Sequence, residues 1–419
     1  MSLQSKKGFD KNYWALALEG SCFMSGISCL ATGGAVSLFI NVMTGSKTLI
    51  GMAVTIQTLF MLVGQLYGAP YVRSIRKLPE FLFKFMAIQR FIPFLMALPL
   101  FLGVGGNLSV GIFLALLAIF WLVDGFMAIP WGELCARALK PDLRGHMMGM
   151  QVTVGGAASL LIGLLLTWLL ATPVFGDNHR FAIIFMLASA ILLMSLIFIR
   201  LVNDPNPIQN PERMLIRQYY SKIPSVVRGS KPLRRALLAR AFSYIGFSSV
   251  SFMVVFGAGA LNLSDSHASW LVYANIVGGL VGGISIGEVS RRFGNKTVIL
   301  LCNVCVLIVL CMAASLIFMP GLGYAWLFAT CALASLTMSN WVGYFSYFLE
   351  IAPSEERSIY QVTNTCIGIP FSFAGYAMGM VIDNFGYMTM FAIGGAFVAV
   401  TIILSLRLLP KRSIPAPRG

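Results

Sequence analysis

GAPYVRSIRK, from Gly68 to Lys77, and GEVSRRFGNK, from Gly287 to Lys296, decide the architecture of this 419-residue chain. Laid over each other, both begin with glycine, place an arginine sixth (Arg73, Arg292) and end on lysine (Lys77, Lys296). A second pair repeats at nearly the same offset. IPWGELCARALKPDLRG and SNWVGYFSYFLEIAPSEER each lead from a tryptophan (Trp131, Trp341) to a proline (Pro141, Pro353) and then an arginine (Arg144, Arg357). Self-similarity at a fixed long period marks a chain made of two parallel copies.

The solvent around those copies follows from composition. Hydrophobic residues make up 58% of the chain and charged residues 11%, against about 45–50% and 25% in soluble domains. Apolar stretches of the length a bilayer requires, about 20 residues, recur from end to end. They predict an all-α membrane protein with twelve spans at 13–41, 47–72, 81–104, 108–133, 146–172, 180–202, 236–262, 267–290, 297–319, 322–349, 357–382 and 387–408. The one long polar stretch, Asn203 to Arg235, divides them six and six. The expected organisation is an N-terminal bundle over 1–202, a linker over 203–235 with a short surface helix near Glu212 to Tyr220, and a C-terminal bundle with a short tail over 236–419.

Lysine and arginine cluster on one side of these spans, at the N-terminus, the 2–3, 4–5 and 8–9 loops, the linker and the tail; the other side shows only Lys47 and Arg180. The positive-inside rule then places both termini in the cytoplasm, and the localisation implied is a bacterial inner membrane. The formal charge of +15 is a topology signal and a contact with anionic lipid of the bilayer, so no nucleic-acid partner is needed to account for it. The first apolar run is too long for a cleavable signal. The eight cysteines lie almost all within predicted spans, and the Cys302–Cys305 pair has no histidine or second pair beside it, so neither a disulfide framework nor a metal site is expected.

The glycine and basic residues at the ends of spans 2 and 8, with the six-plus-six repeat, resemble the major facilitator superfamily of secondary transporters. That family's signature is a glycine, three variable residues, then Asp-Arg-x-Gly and two basic residues. Gly68, Arg73, Arg76 and Lys77 match it in the first copy, and Gly287, Arg292, Gly294 and Lys296 in the second. The signature's aspartate is replaced by Val72 and Arg291, and Ile75 stands at the second glycine of the first copy. The resemblance implies two pseudo-symmetric six-helix bundles, a cytoplasmic gate at these motifs, and a central cavity lined by spans 1, 4, 7 and 10. Any charge latch must use other acids, with Glu350, Glu355 and Glu356 available.

A cavity-lining helix carries its polar groups on one stripe. Thr337, Asn340, Trp341 and Tyr344 share a face of span 10, Tyr244, Ser248 and Ser251 a face of span 7, and Ser21, Ser25, Ser28 and Thr32 a face of span 1. In span 4, Trp121, Asp124, Ala128 and Trp131 share a face, which sets a carboxylate between two indoles. Substrate contact is therefore expected from Trp121, Trp131, Tyr244, Ser248, Asn340, Trp341 and Tyr344, with the serines serving close packing ahead of substrate contact.

Three ionisable groups lie deep in the N-terminal half. At a rise of about 1.5 Å per residue, Glu19 is about 9 Å inside Tyr13, Arg90 about 15 Å past Glu80 and Asp124 about 14 Å before Glu133. A charge at helix centre costs about 2.5–3.5 kcal/mol on insertion scales, so each needs water, a partner or a proton. Two readings stay open. Arg90 pairs with Asp124 or Glu19 and holds the bundle together, or a carboxylate takes a proton from outside and releases it inside. Asp124, Glu19 and Arg90 are the proton-coupling set of the second reading.

The function expected is proton-coupled transport of a small organic solute by alternating access, by a monomer without a cofactor. A lipid flippase or a multidrug-type exporter on the same scaffold is the alternative. Span 5, with TVGGAASLLIG, lacks the proline of drug-exporting relatives, and the 4–5 segment is similar to sugar:cation symporters without their paired acids on span 2. No enzyme is expected, since HExxH, paired aspartates and clustered histidines are all missing.

Overall fold

The computed structural model describes residues 10–30, 35–171, 176–205, 207, 216–250, 252–253, 256, 265–319, 323–337, 340–371 and 373–408. The helices among them are α1 (Lys11–Ser28), α2 (Ala35–Thr44), α3 (Lys47–Gly68), α4 (Leu78–Phe101), α5 (Gly106–Ala138), α6 (Pro141–Ala171), α7 (Asp177–Ile199), α8 (Ile216–Gly229), α9 (Lys231–Val250), α10 (Asp265–Phe293), α11 (Asn295–Phe318), α12 (Gly323–Thr337), α13 (Asn340–Ile351), α14 (Arg357–Phe371) and α15 (Ala374–Leu406). A 3₁₀ turn, Ala69–Ser74, follows α3. Among the described residues seven helices are long and apolar enough to cross a membrane. Helix is what a bilayer permits, because every backbone N–H and C=O must be satisfied within the segment.

The helices differ from the twelve expected runs where local chemistry interrupts them. The first run is divided, α1 ending at Ser28 and α2 beginning at Ala35, with Thr32 of the serine stripe outside the described residues. Ser251 of the span 7 stripe is outside them as well. Span 10 is covered by α12 and α13, and 338–339 between them lie outside the described residues. Spans 11 and 12 meet inside α15 at Gly386, whose φ of 79° is a left-handed conformation that glycine adopts without steric cost.

The described part of the linker is largely helical. The short helix expected at 212–220 runs instead from Ile216 to Gly229, and 212–215 lie outside the described residues. A second helix starts at Lys231, where the Leu233 N–H donates to Ser230 Oγ over 3.3 Å. Lys231, Arg234 and Arg235, which the sequence reading assigns to the linker, belong to the first turns of α9.

The chain divides into two compact units, Met1–Lys140 with Val154–Tyr219, and Pro141–Thr153 with Tyr220–Gly419. In the first unit the core gathers Phe39, Phe113, Phe181 and Phe185 with Trp121 and Phe120. In the second, one cluster surrounds Val306, Leu310 and Phe391, and another holds Tyr344, Tyr347 and Phe348.

Glycine sets the closest helix contact of the first unit. A Cβ placed on Gly64 would lie 2.1 Å from the Leu122 carbonyl oxygen, on Gly68 2.1 Å from that of Phe126, and on Gly125 2.0 Å from that of Met61. Backbones of α3 and α5 thus touch along three glycines, the small-residue packing that membrane helices use where lipid offers no hydrophobic driving force. This contact positions Asp124, the neighbour of Gly125. Gly125→Val should therefore lower the thermal midpoint sharply or yield aggregated protein. Fluorescence-detected size-exclusion chromatography in detergent checks this; an unchanged monodisperse peak with native melting would show the contact to be dispensable.

Candidate coupling and solute site

The polar centre of the first unit starts from Arg90, which is 1% exposed on α4. Its guanidinium donates from Nη2 to Glu19 Oε1 on α1 over 2.5 Å, from Nη1 to Gln89 Oε1 over 3.0 Å, and from Nε to Ser195 Oγ on α7. The Phe23 ring lies 5.4 Å from its Cζ. Ser189 Oγ donates to the Arg90 carbonyl over 2.8 Å, which ties α7 to α4 at the same level. Glu19, 2% exposed, uses its other oxygen to accept the Trp131 indole N–H at 3.0 Å.

Asp124, half-buried on α5, accepts a hydrogen bond of 2.9 Å from Gln89 Nε2. Gln89 is fully buried and faces both ways, its carbonyl toward Arg90 and its amide toward Asp124. The result is a continuous chain from Asp124 through Gln89 and Arg90 to Glu19 and Trp131. Of the pairings left open, Arg90 with Glu19 is the one present. The chain contains two carboxylates and one guanidinium, so one proton balances it, and a buried charge left unbalanced is costly.

Sequence periodicity placed Asp124 between two indoles. Trp131 is turned to Glu19, whereas Trp121 is 4% exposed within the hydrophobic core, 5.3 Å from the Phe120 ring centroid, with its buried N–H unpartnered. Gln89 was missed. Its signal was available: an amide inside an apolar span, next in sequence to the arginine, must find partners at that depth.

In the second unit the structure gathers Tyr244, Asn340 and Tyr344 around a residue that sequence reading passed over. Arg240, one turn before Tyr244 on α9, holds its Cζ 4.2 Å from the Tyr244 ring centroid and 4.6 Å from that of Tyr344. Its Nη2 donates to Tyr244 Oη over 3.1 Å. Asn340 Nδ2 donates to Ser243 Oγ over 3.1 Å. Tyr244 lies parallel to Phe371 at 6.5 Å between centroids. Ser248 spends its hydroxyl on the Ile245 carbonyl of its own helix at 2.6 Å, and Trp341 is half-buried beside Asn340 on α13. The signal for Arg240 was its spacing, since it extends the Tyr244 and Ser248 stripe by one turn.

The two motif copies serve different local ends. Gly68 lies against α5, while a Cβ on Gly287 would meet the His146 carbonyl oxygen at 3.2 Å. Arg76 is exposed, Lys77 pairs with Glu80 at 2.7 Å on the surface, and the Arg73 side chain is outside those described. Arg292 and Arg291 both bind Glu288. Gly294, with φ of 86°, separates α10 from α11, and Lys296 Nζ donates to the Leu406 carbonyl at 2.8 Å. Among the acids considered for a latch, Glu350 accepts from Asn295 Nδ2 at 2.9 Å, and Asn295 in turn accepts from Ser290 Oγ at 2.7 Å. An ionic cluster that sequence reading did not predict stands at the end of α5: Arg137 pairs with Glu133 at 2.9 Å and with Asp204 at 3.3 Å, all three largely buried.

Residues 236–419 match the profile of the Major Facilitator Superfamily. No curated protein sequence matches the chain. Among solved structures, the chain is similar to a bacterial homologue of the iron transporter ferroportin, with a TM-score of 0.71 at 14% identity over 94% of this chain and 98% of that one. It is similar to the E. coli fucose:proton symporter FucP, with a TM-score of 0.72 at 14% identity over 95% and 98%. The proton:xylose symporter XylE gives a TM-score of 0.67 at 15% identity over 96% of each chain. At these identities the likeness is one of fold, and that fold is two bundles of six membrane helices.

Proposed function

We propose that the chain is a member of the Major Facilitator Superfamily, a reading supported by the match of residues 236–419 and by the likeness of fold, and that it is a secondary active transporter of a small organic solute, driven by protons. It moves its solute by alternating access and transforms nothing. The observation that carries the proton coupling is the chain Asp124–Gln89–Arg90–Glu19, in which two acids share one guanidinium through an amide. Adding a proton removes the excess negative charge, and releasing it restores the charge. A conformational preference can follow that change, because a ligand shifts an equilibrium by its differential affinity for the two states. The similar folds of two proton symporters support the reading.

Asp124 is the proton-carrying group proposed, since it is the carboxylate bound only through an amide, whereas Glu19 is held directly by Arg90 and Trp131. Arg90 fixes Glu19, and Gln89 transmits the state of one acid to the other. Tyr244, Asn340, Trp341 and Tyr344 of the second unit contribute to solute binding. The cationic loops support a reading in which the protein lies in a bacterial inner membrane with both termini on the cytoplasmic side, and in which the six-helix bundles span 1–202 and 236–419. The chain acts as a monomer.

The test is solute accumulation in proteoliposomes under an imposed pH gradient, with and without a protonophore. Accumulation should collapse to the passive level when the protonophore is added. Accumulation that persists unchanged, or that follows a sodium gradient instead, would rule out proton coupling.

A further inference from the structure

Arg240 differs from Arg90 and Arg137 in what surrounds it. Arg90 is bound to Glu19, and Arg137 to Glu133 and Asp204. The basic residues at the start of its own helix reach backbone carbonyls: Arg234 those of Val227 and Arg228, and Arg235 that of Arg407. Arg240 stands roughly 13 Å along α9 from Lys231 at about 1.5 Å per residue, has no carboxylate partner among the described residues, and makes one hydrogen bond, to the Tyr244 phenol. Its Nε is buried without an acceptor among the described residues.

Two tyrosine faces hold the guanidinium at 4.2 and 4.6 Å. Stacking of this kind orients a cation without neutralising it, because the ring quadrupole supplies attraction and no counter-charge. A guanidinium presents a planar fork that matches a carboxylate, and most of its donors are unused here. Ser243, three residues after Arg240 on α9, accepts from the amide nitrogen of Asn340 on α13; Asn340 is 3% exposed, and its Oδ1 has no donor among the described residues. Among the described residues Arg240 thus has no anion, and Asn340, one turn before Tyr344 on α13, has no N–H or O–H group for its Oδ1. Phe371, parallel to Tyr244, adds an aromatic wall.

We infer that Arg240, with Tyr244 and Asn340, forms a binding site for the carboxylate of a small organic acid that also carries a hydrogen-bond donor. A carboxylate rather than a phosphate dianion fits because a single cation is stacked on these rings. Arg90, the deep arginine of the first unit, already has a carboxylate partner in Glu19. The inference rests on the transport reading in taking this acid as the transported solute.

The test measures thermal shifts of the purified full chain in detergent with acetate, lactate, benzoate and 4-hydroxybenzoate, each against its primary amide, with phenyl phosphate as a further arm. At least one carboxylate should raise Tm where its amide does not, and its affinity should fall about tenfold or more in Arg240→Gln, as loss of a charge-assisted pair implies. Arg240→Lys should retain part of it. If Arg240→Gln fails to fold, Tyr244→Phe, which keeps the ring and removes the hydroxyl, should weaken the same carboxylate. No stabilising carboxylate, equal stabilisation by the amide, preference for phenyl phosphate, or undiminished affinity in Arg240→Gln would overturn the inference. So would an Arg240-dependent shift produced by phosphatidylglycerol alone, which would make the arginine a lipid anchor. Flux separates the two claims: a carboxylate that binds through Arg240 but is not transported sinks the transport reading, and proton-driven flux of a neutral solute untouched by Arg240→Gln sinks only this site.

Discussion

Asp124→Asn should abolish accumulation driven by a pH gradient while leaving exchange of internal for external solute near the native rate. The substitution keeps side-chain size and can still accept from Gln89 Nε2, the donor that now sits 2.9 Å from Oδ1. What it removes is the proton-binding group and one negative charge. The neighbouring pair of Arg90 and Glu19 is neutral on its own, so the variant imitates the protonated site permanently. Exchange requires only movement of the loaded carrier, which a permanently neutral site allows. Accumulation requires the site to cycle between protonation states, and coupling free energies between two ligands correspond to roughly 5–150-fold in affinity, a range that accumulation in matched proteoliposomes resolves. Loss of both activities would make Asp124 a structural or solute-binding residue. Retention of full accumulation would remove it from the coupling path and leave Glu19 as the acid to examine.

The scaffold was legible because two of its determinants are one-dimensional. Apolar run length is set by bilayer thickness, and the glycine-to-lysine motif repeats in both halves, so span and repeat could be read without contacts. The interruptions were less visible. The end of α1 before Ala35 and the start of α9 at Lys231 depend on caps and exposure that composition does not encode.

At the site, helical periodicity located Asp124, Glu19, Arg90, Tyr244, Asn340 and Tyr344 around their helix axes, but an angle around an axis does not name the neighbour. Trp121 and Trp131 share a face with Asp124, yet the first is packed in the core and the second bonds to Glu19. Gln89 was overlooked because an amide carries no formal charge, although it alone joins Asp124 to Arg90. Arg240 was overlooked because basic residues crowd the helix start nearby, and its difference from them lies in its tyrosine partners rather than in its type. Gly68 was read as a gate residue; its contact with the Phe126 carbonyl also makes it a packing residue of α3, something no count of spacing could reveal.

Arg90→Leu should be the most destabilising substitution in the first unit. It strips Glu19, 2% exposed, of its cation and leaves the carboxylate with the Trp131 N–H alone. The same change deprives Gln89 Oε1 and Ser195 Oγ of their donor. Removing one member of a buried ion pair costs about 3–5 kcal/mol, whereas replacing both by apolar groups of similar volume is often neutral. The double variant Glu19→Leu with Arg90→Leu should therefore recover most of the melting temperature that Arg90→Leu loses, even though it is the larger chemical change. Arg90→Lys should fall between them, because an ammonium can reach Glu19 but cannot span Glu19, Gln89 and Ser195 at once. Melting in detergent across native, single and double variants gives the coupling energy directly. A double variant as unstable as Arg90→Leu would locate the role of Arg90 in its bonds to Gln89, Ser195 and Phe23 rather than in charge neutralisation. Recovery in the double variant would also supply a folded protein in which Asp124 is the one acid left of the pair Asp124 and Glu19, and proton-driven flux there would assign the proton to Asp124 without Glu19.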